Sequence, residues 1–171
     1  MIFKEVIGVQ NFAAGVNIIF REAVRAVIIN GDKLLMVHNN KGDYKFPGGG
    51  LEKGEDQSAA LLREVQEETG YRINVVKEKI GIVIERRNDK HRDNTLFEMT
   101  SYYYICEVSD DKGFQELDDY EADLDFKSLW INIDEAIKKN DKIITEKEDK
   151  NPWVIRELYV LKQLKKFFFN S

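Results

Sequence analysis

The sequence predicts a layered α/β (α+β) domain, and three observations carry that expectation. Runs rich in β-branched and aromatic residues fill Val24–Ile29, Lys33–His38, Ile73–Glu85 and Leu96–Val108, the composition of strands. A segment with helical periodicity, Asp56–Thr69, separates the first two runs from the last two. Helical patterns then close the chain after a short strand at Trp130–Ile133. Strands, a helix, more strands and then helices stack as layers around a common core.

Val24–Ile29 and Lys33–His38 flank Asn30-Gly31-Asp32, a turn signal, so they read as a β-hairpin. Asn39–Asp43 is a polar loop, and Phe46-Pro47-Gly48-Gly49-Gly50 follows. Three bare glycines let backbone approach a ligand or ion closely. In the helix Asp56–Thr69 an apolar-side stripe runs through Ser58, Leu61, Leu62, Val65 and Thr69, and Gly70 stands where a left-handed C-terminal residue belongs. Asp134 is expected to cap a helix through Lys139. Asn151 as N-cap and Pro152 at the first position open a final helix over about 152–168, with a stripe of Ile155, Leu158, Leu161, Leu164 and Phe168.

At 171 residues the expectation is a single domain over 1–171, since domains run to roughly 100–200 residues. Hydrophobic residues at 43% and charged residues at 33% exclude a disordered chain. A net charge of -5 argues against broad binding of extended nucleic acid. The lone Cys106 forms no internal disulfide, and no Cys/His cluster suits zinc. Met1–Gln10 lacks a signal-peptide core, and no apolar run approaches the roughly 20 residues of a membrane span. A cytoplasmic protein is expected.

Charge is unevenly spread. Asp110–Asp125 holds eight acids, among them Glu116 and Glu121, against the single base Lys112, while Arg86–Arg92 is basic. On charge alone both read as solvated loops. His91 in the basic segment reads as solvated, and His38 as a polar strand-end residue. Tyr102, Tyr103 and Tyr104 alternate faces of a strand and are expected mainly to pack the core or the sheet surface. Cys106 reads as a small buried hydrophobe. Phe167-Phe168-Phe169 docks the last helix or forms a dimer contact; it does not read as a membrane anchor.

The helix also carries Glu64, Glu67 and Glu68. At about 100° per residue, positions 67 and 68 lie about 60° and 40° to either side of 64, so the three carboxylates share one face. Like charges at these spacings repel, and partial burial makes the cluster costlier. A solvated acidic face and a site for a hard divalent cation, which prefers oxygen ligands, are both open on these residues alone.

The wider spacing is Gly49, five residues, Glu55, seven residues, then Arg63-Glu64-Val65-Gln66-Glu67-Glu68-Thr69-Gly70-Tyr71. It resembles the Nudix box, G-x5-E-x7-R-E-U-x-E-E-x-G-U, at every fixed letter. Tyr71 is the one departure, standing where an aliphatic residue is usual. The box covers 23 of 171 residues, 49–71, and a weaker likeness runs from about Val24 to Ile137, including Phe46-Pro47-Gly48 before the box and Trp130 with Asp134-Glu135-Ala136 after it.

The resemblance to the Nudix (MutT-like) hydrolases implies an α/β/α sandwich around a central mixed sheet. It implies hydrolysis of a phosphoanhydride bond in a nucleoside diphosphate linked to another group, X, with Mg²⁺ or Mn²⁺; nucleoside triphosphates and nucleotide sugars fall in that class. Glu64, Glu67 and Glu68 would be metal ligands together with the carbonyl of Gly48. Arg63 would orient the carboxylates by charge-assisted hydrogen bonds, and Glu55 would support that network. The box leaves the general base open: it is a box glutamate or a later carboxylate, with Glu98, Glu116 and Glu121 the candidates outside the box. Two other functions compete. A non-hydrolytic nucleotide sensor of the same fold often loses a box glutamate, whereas all three are present here. An isoprenoid diphosphate isomerase wants cysteine/glutamate chemistry and metal-binding histidines, which two histidines support poorly. The expected partner is a small nucleotide or nucleotide-linked diphosphate; a homodimer is compatible with the sequence.

Overall fold

A computed structural model describes residues 1–169 of the chain; the last two positions of the expected 1–171 unit lie outside the described residues. The strands are β1 (Phe3–Gly8), β2 (Asn17–Val27), β3 (Ile29–Asn30), β4 (Lys33–His38), β5 (Tyr44–Lys45), β6 (Tyr71–Asn88), β7 (Thr95–Lys112) and β8 (Lys127–Asn132). The helices are α1 (Gln57–Thr69), α2 (Asp119–Asp123), α3 (Ile133–Glu146) and α4 (Val154–Leu164), which runs on into a π-helical turn, Lys165–Phe169.

One mixed sheet has the order β1-β6-β7-β2. Its centre is the antiparallel β6–β7 pair, and the outer strands β1 and β2 lie parallel to their neighbours. In the second sheet β4 pairs antiparallel with β8 along one edge and with β3 and β5 along the other. This matches the expected α+β fold with a central mixed sheet.

Helices cover both faces, which explains the near-continuous apolar runs of β2 and β4. Val24 and Ala26 of β2 and Leu35 of β4 turn towards α1 and pack with Ala60, Leu61 and Val65. Val27, Leu34 and Met36 turn the other way and join Ile133 of α3 and Val160, Leu161 and Leu164 of α4. Cys106 is buried in the layer under α1, and burial pushes its thiol up to about 12. Tyr103 is buried in the other layer, edge-on to Phe3 and Phe46, while Tyr102 and Tyr104 are half-buried. His38 ends β4 beside Tyr44, where burial holds its imidazole below the usual range. His91 is exposed.

Several local expectations are corrected. The arm Val24–Ile29 divides: its first part belongs to β2, which pairs with β7, and only Ile29–Asn30 forms the hairpin with β4. In α1 the buried positions are Ala60, Leu61, Glu64, Val65, Glu68 and Thr69; Ser58 and Leu62 are exposed. The inner face therefore includes two acids that an apolar stripe leaves out. The cap of α3 is Asn132, whose side chain accepts from the amide of Asp134 at 2.9 Å, and the helix continues past Lys139 to Glu146. The last helix begins at Val154, because the side chain of Asn151 donates to Asp43 (2.7 Å) and does not cap. Its stripe is also shifted: Ile155 and Phe168 are 47% and 44% exposed, while Arg156 and Glu157 are buried. In the basic stretch, Arg86 lies in β6 and pairs with Glu98 at 2.6 Å. Strands β1 and β5 and helix α2 have no counterpart in the sequence reading. Among the described residues no helix is long and apolar enough to cross a membrane.

Strand β1 is held by Phe3, whose ring meets Tyr103 and Tyr159 edge-on. Phe3→Ala is expected to cost roughly 3–5 kcal/mol, the usual range for removing a buried aromatic side chain. Urea unfolding of the variant checks this, and a loss below about 1 kcal/mol would mean that β1 is not docked this way.

Candidate active site

The site begins where β5 runs into Phe46-Pro47-Gly48. The backbone of this stretch is clamped by buried side chains. Asn140 of α3 accepts from the Tyr44 amide and donates to the Tyr44 carbonyl, both at 2.9 Å. Glu157 of α4 accepts from the Phe46 amide at 3.0 Å. Gly48 then takes φ +140°, and a Cβ there would lie 2.0 Å from the carbonyl oxygen of Val24. A Cβ on Gly49 would fall 2.3 Å from a carboxylate oxygen of Glu64. The two glycines are what lets the strand end lie against the acidic face of α1.

Helix α1 is started by Asp56, whose carboxylate accepts from the Ala59 amide at 2.9 Å, and is closed by Gly70 in the left-handed region. Its acids are organised by Arg63. The guanidinium donates through Nε and Nη2 to the two oxygens of Glu55 (2.9 and 2.8 Å), through Nη1 to Glu64 (2.8 Å) and Glu67 (3.2 Å), and through Nη2 to the Gly50 carbonyl (3.2 Å). Such a two-pronged contact fixes orientation as well as charge. These hydrogen bonds hold the Glu55 carboxyl down at about 2, and the same bond to Glu55 raises Arg63.

Glu68 is buried, accepting from the Gly48 amide at 2.9 Å and from the ammonium of Lys45. The Gly48 carbonyl accepts from Lys45 at 3.3 Å and from the guanidinium of Arg25. A further carboxylate comes from α2, where Asp118 and Glu121 form a reciprocal capping box (2.8 and 3.1 Å). The segment leading to α2 is tied to α1: Gly113 donates to the Gly70 carbonyl and Glu116 to the Glu67 carbonyl, each at 2.8 Å. Glu64, Glu68 and Glu121 thus each bring an oxygen within 4.8 Å of the others. Burial first, and the charge of Glu68 second, raise the Glu64 carboxyl and push that of Glu121 up to about 7.

Acids crowded and desolvated in this way favour protonation or a cation. The donor set is oxygen throughout, which fits a hard divalent ion such as Mg²⁺ or Mn²⁺. Two adjoining cavities meet at Gly50, Glu64, Asp118 and Glu121. One extends over Arg63, Glu67 and Glu116. The other runs past Gly48 and Glu68 to Arg25, Lys45, Phe126 and Trp153.

The structure brings Gly48, Glu64 and Glu68 together and places Arg63 and Glu55 in one network beside them. Glu67 is bonded to Arg63 and lines only the first cavity, where Glu116 joins it. Glu121 stands with Glu64 and Glu68. Glu98 lines neither cavity and is held by Arg86 on the sheet. Lys45 and Arg25 stand at positions for which spacing gives no signal. The helix carrying Glu121 does have one, the capping-box pattern Asp118-x-x-Glu121.

A family model described as NUDIX domain matches residues 19–154. An RNA pyrophosphohydrolase of Pelagibacter ubique is 36% identical over 73 residues, covering 40% of this chain and 46% of that protein. Diphosphoinositol polyphosphate phosphohydrolase 2 of Mus musculus is 31% identical over 114 residues, covering 63% of this chain and 54% of that protein. The chain therefore spans about half the length of these curated relatives. The solved structure of a NUDIX hydrolase from Nitrosomonas europaea superposes with a TM-score of 0.53 at 25% identity, covering 84% of this chain and 90% of the other.

The Arg63–Glu55 contact predicts an acid-side titration. Because the folded carboxyl lies below its ordinary 4.5, Glu55 contributes stability above that value and loses it as pH falls towards 2. In Arg63→Met the Glu55 carboxyl should return towards 4.5, read by carbon NMR of the side-chain carboxyl. A titration unchanged from wild type would show that the guanidinium does not set it.

Proposed function

Because the chain belongs to the NUDIX family, we propose that it is a metal-dependent pyrophosphohydrolase cutting a phosphoanhydride in a nucleoside diphosphate linked to X. Nucleoside triphosphates and nucleotide sugars are substrates of that type. Residues 1–171 act as one unit in this reading, with the box at 49–71. The observation that carries it is the meeting of Glu64, Glu68 and Glu121 beside the Gly48 strand end, at the junction of two cavities. The relatives named as pyrophosphohydrolase and phosphohydrolase support the reaction class.

Glu64, Glu67, Glu68 and the Gly48 carbonyl would hold Mg²⁺ or Mn²⁺, with Glu121 adding a carboxylate from outside the box. A divalent ion there supplies neutralisation of the anhydride oxygens and a lowered pKa for an attacking water. The protein's own share is positioning. Arg63 fixes Glu64 and Glu67 relative to each other and is itself braced by Glu55. Glu121 lines both cavities, so it can receive a proton from water on either side of the junction; Glu116 reaches only the first.

Incubation with a panel of nucleotide-linked diphosphates and Mg²⁺ or Mn²⁺ should release a nucleoside monophosphate or a phosphate product, read by phosphorus NMR. Glu67→Gln and Glu68→Gln are each expected to depress turnover by orders of magnitude while circular dichroism stays native. Near-normal Mg²⁺-dependent activity in both variants rejects the site. Ligand binding without turnover by wild type would favour a sensor.

For the base, Glu98→Gln, Glu116→Gln and Glu121→Gln are compared one at a time. Glu121→Gln should alter the pH–rate profile and Glu98→Gln should leave it unchanged. The reverse pattern would move proton transfer to the sheet surface and away from the carboxylate junction.

A further inference from the structure

Lys45 is a cation in an unusual place. It is 5% exposed, and its ammonium is bonded to Glu68 and lies 3.3 Å from the Gly48 carbonyl. These are two of the groups that the proposed function gives to the metal. Both oxygens of Glu68 already have donors, one from Lys45 and the other from the Gly48 amide. The Gly48 carbonyl has two, from Lys45 and from Arg25.

The ammonium cannot withdraw by a shift of its own backbone. Lys45 pairs with Val37 in the sheet, and its chain neighbours Tyr44 and Phe46 are clamped by Asn140 and Glu157. The ring of Phe126 lies 4.8 Å from the nitrogen, in cation–π range. Withdrawal would take rotation of the four-carbon stem, and the second cavity, which Lys45 lines, adjoins it.

We infer that Lys45 is a resident cation of the carboxylate site: it neutralises Glu68 and covers the Gly48 carbonyl, and a divalent ion must displace it to bind. The inference rests on the metal-dependent reading above. Two positive charges sharing one carboxylate repel, and the repulsion is strong where water is scarce. Lys45 therefore acts as a positioning residue that keeps Glu68 ordered before metal arrives and weakens the metal's hold afterwards. An ordinary structural ion pair would do only the first: its removal would loosen the site and lower metal affinity.

The test is Mn²⁺ titration, read by the electron paramagnetic resonance of the free ion, of wild type, Lys45→Met and Lys45→Gln. Both variants are expected to bind Mn²⁺ on the order of tenfold more tightly, the effect of removing a unit charge beside a divalent ion in a partly desolvated site. Saturating Mn²⁺ should also raise the melting temperature of the variants more than that of wild type. Lys45→Gln keeps a donor for Glu68 and carries the comparison if Lys45→Met does not fold. Equal or weaker binding by the folded variants overturns the role of Lys45. If wild type and variants alike bind no Mn²⁺, the metal reading itself fails and the inference falls with it.

Discussion

The structure around the site depends on the burial of two glutamates on the inner face of one helix. Glu64 and Glu68 lie in line with Leu61 and Val65, the residues that dock α1 on the sheet. Charges in such a position are costly unless each is paired and hydrogen-bonded. The matching donors are Arg63, Lys45 and the Gly48 amide. Removing one partner of a buried pair typically costs roughly 3–5 kcal/mol. The acids therefore fix which backbone can lie opposite them. Only a strand end without side chains at 48 and 49 lets the Gly48 amide reach Glu68 and leaves room for the Glu64 carboxylate.

That constraint propagates outward through the helices of the opposite layer. The strand end is held from behind by Asn140 and Glu157, and Glu157 is itself paired with Arg156, which also reaches Glu85 on β6. A buried polar chain thus runs from the central sheet through α4 to the backbone just before Gly48. Hydrogen bonds of this kind lose freedom on folding but gain strength from the low dielectric around them. On the other side, the ties from Gly113 and Glu116 to α1 set α2 over the carboxylates. The site is a seam between elements distant in sequence, and the loop–helix of the box is one side of it.

This division explains how much could be read from the chain alone. The bounds of α1, its Gly70 stop and the acids on one face are local properties, governed by spacing and capping, and they were legible. The inward turn of Glu64 and Glu68 was not, because a periodicity count scores an acid as an outward residue and cannot see Lys45 waiting across the gap. The same blindness shifted the stripe of α4, where Arg156 and Glu157 occupy buried turns and Ile155 is left outside. Strand β1 escaped notice because its support comes from β6, nearly the whole length of the first half of the chain away. Among the acids outside the box, composition could not rank Glu98, Glu116 and Glu121. Partnership does: Arg86 holds Glu98 on the sheet, while a capping box aims α2 at the junction.

The two cavities that meet at the carboxylates differ in character, and the difference comes from where their walls originate. The first is walled by box residues and by the acidic approach to α2, and its only basic residue is Arg63, already engaged with three glutamates. The second draws Arg25 from β2, Lys45 from β5, Phe126 from the turn before β8, and Trp153 and Arg156 from the entry to α4. Glu64, Asp118 and Glu121 line both sides and Glu68 the second, so a phosphate chain at the junction needs cations to neutralise these acids. The second side differs in adding Arg25, Lys45 and Arg156, each already bonded within the protein, and the aromatic walls of Phe126 and Trp153. On the proposed reading, the phosphates of a substrate belong at the carboxylate junction with the metal, and its planar part beside the aromatic walls of the second cavity. Its selectivity would then be written in residues outside the box, as expected when one fold carries a fixed reaction and varied recognition.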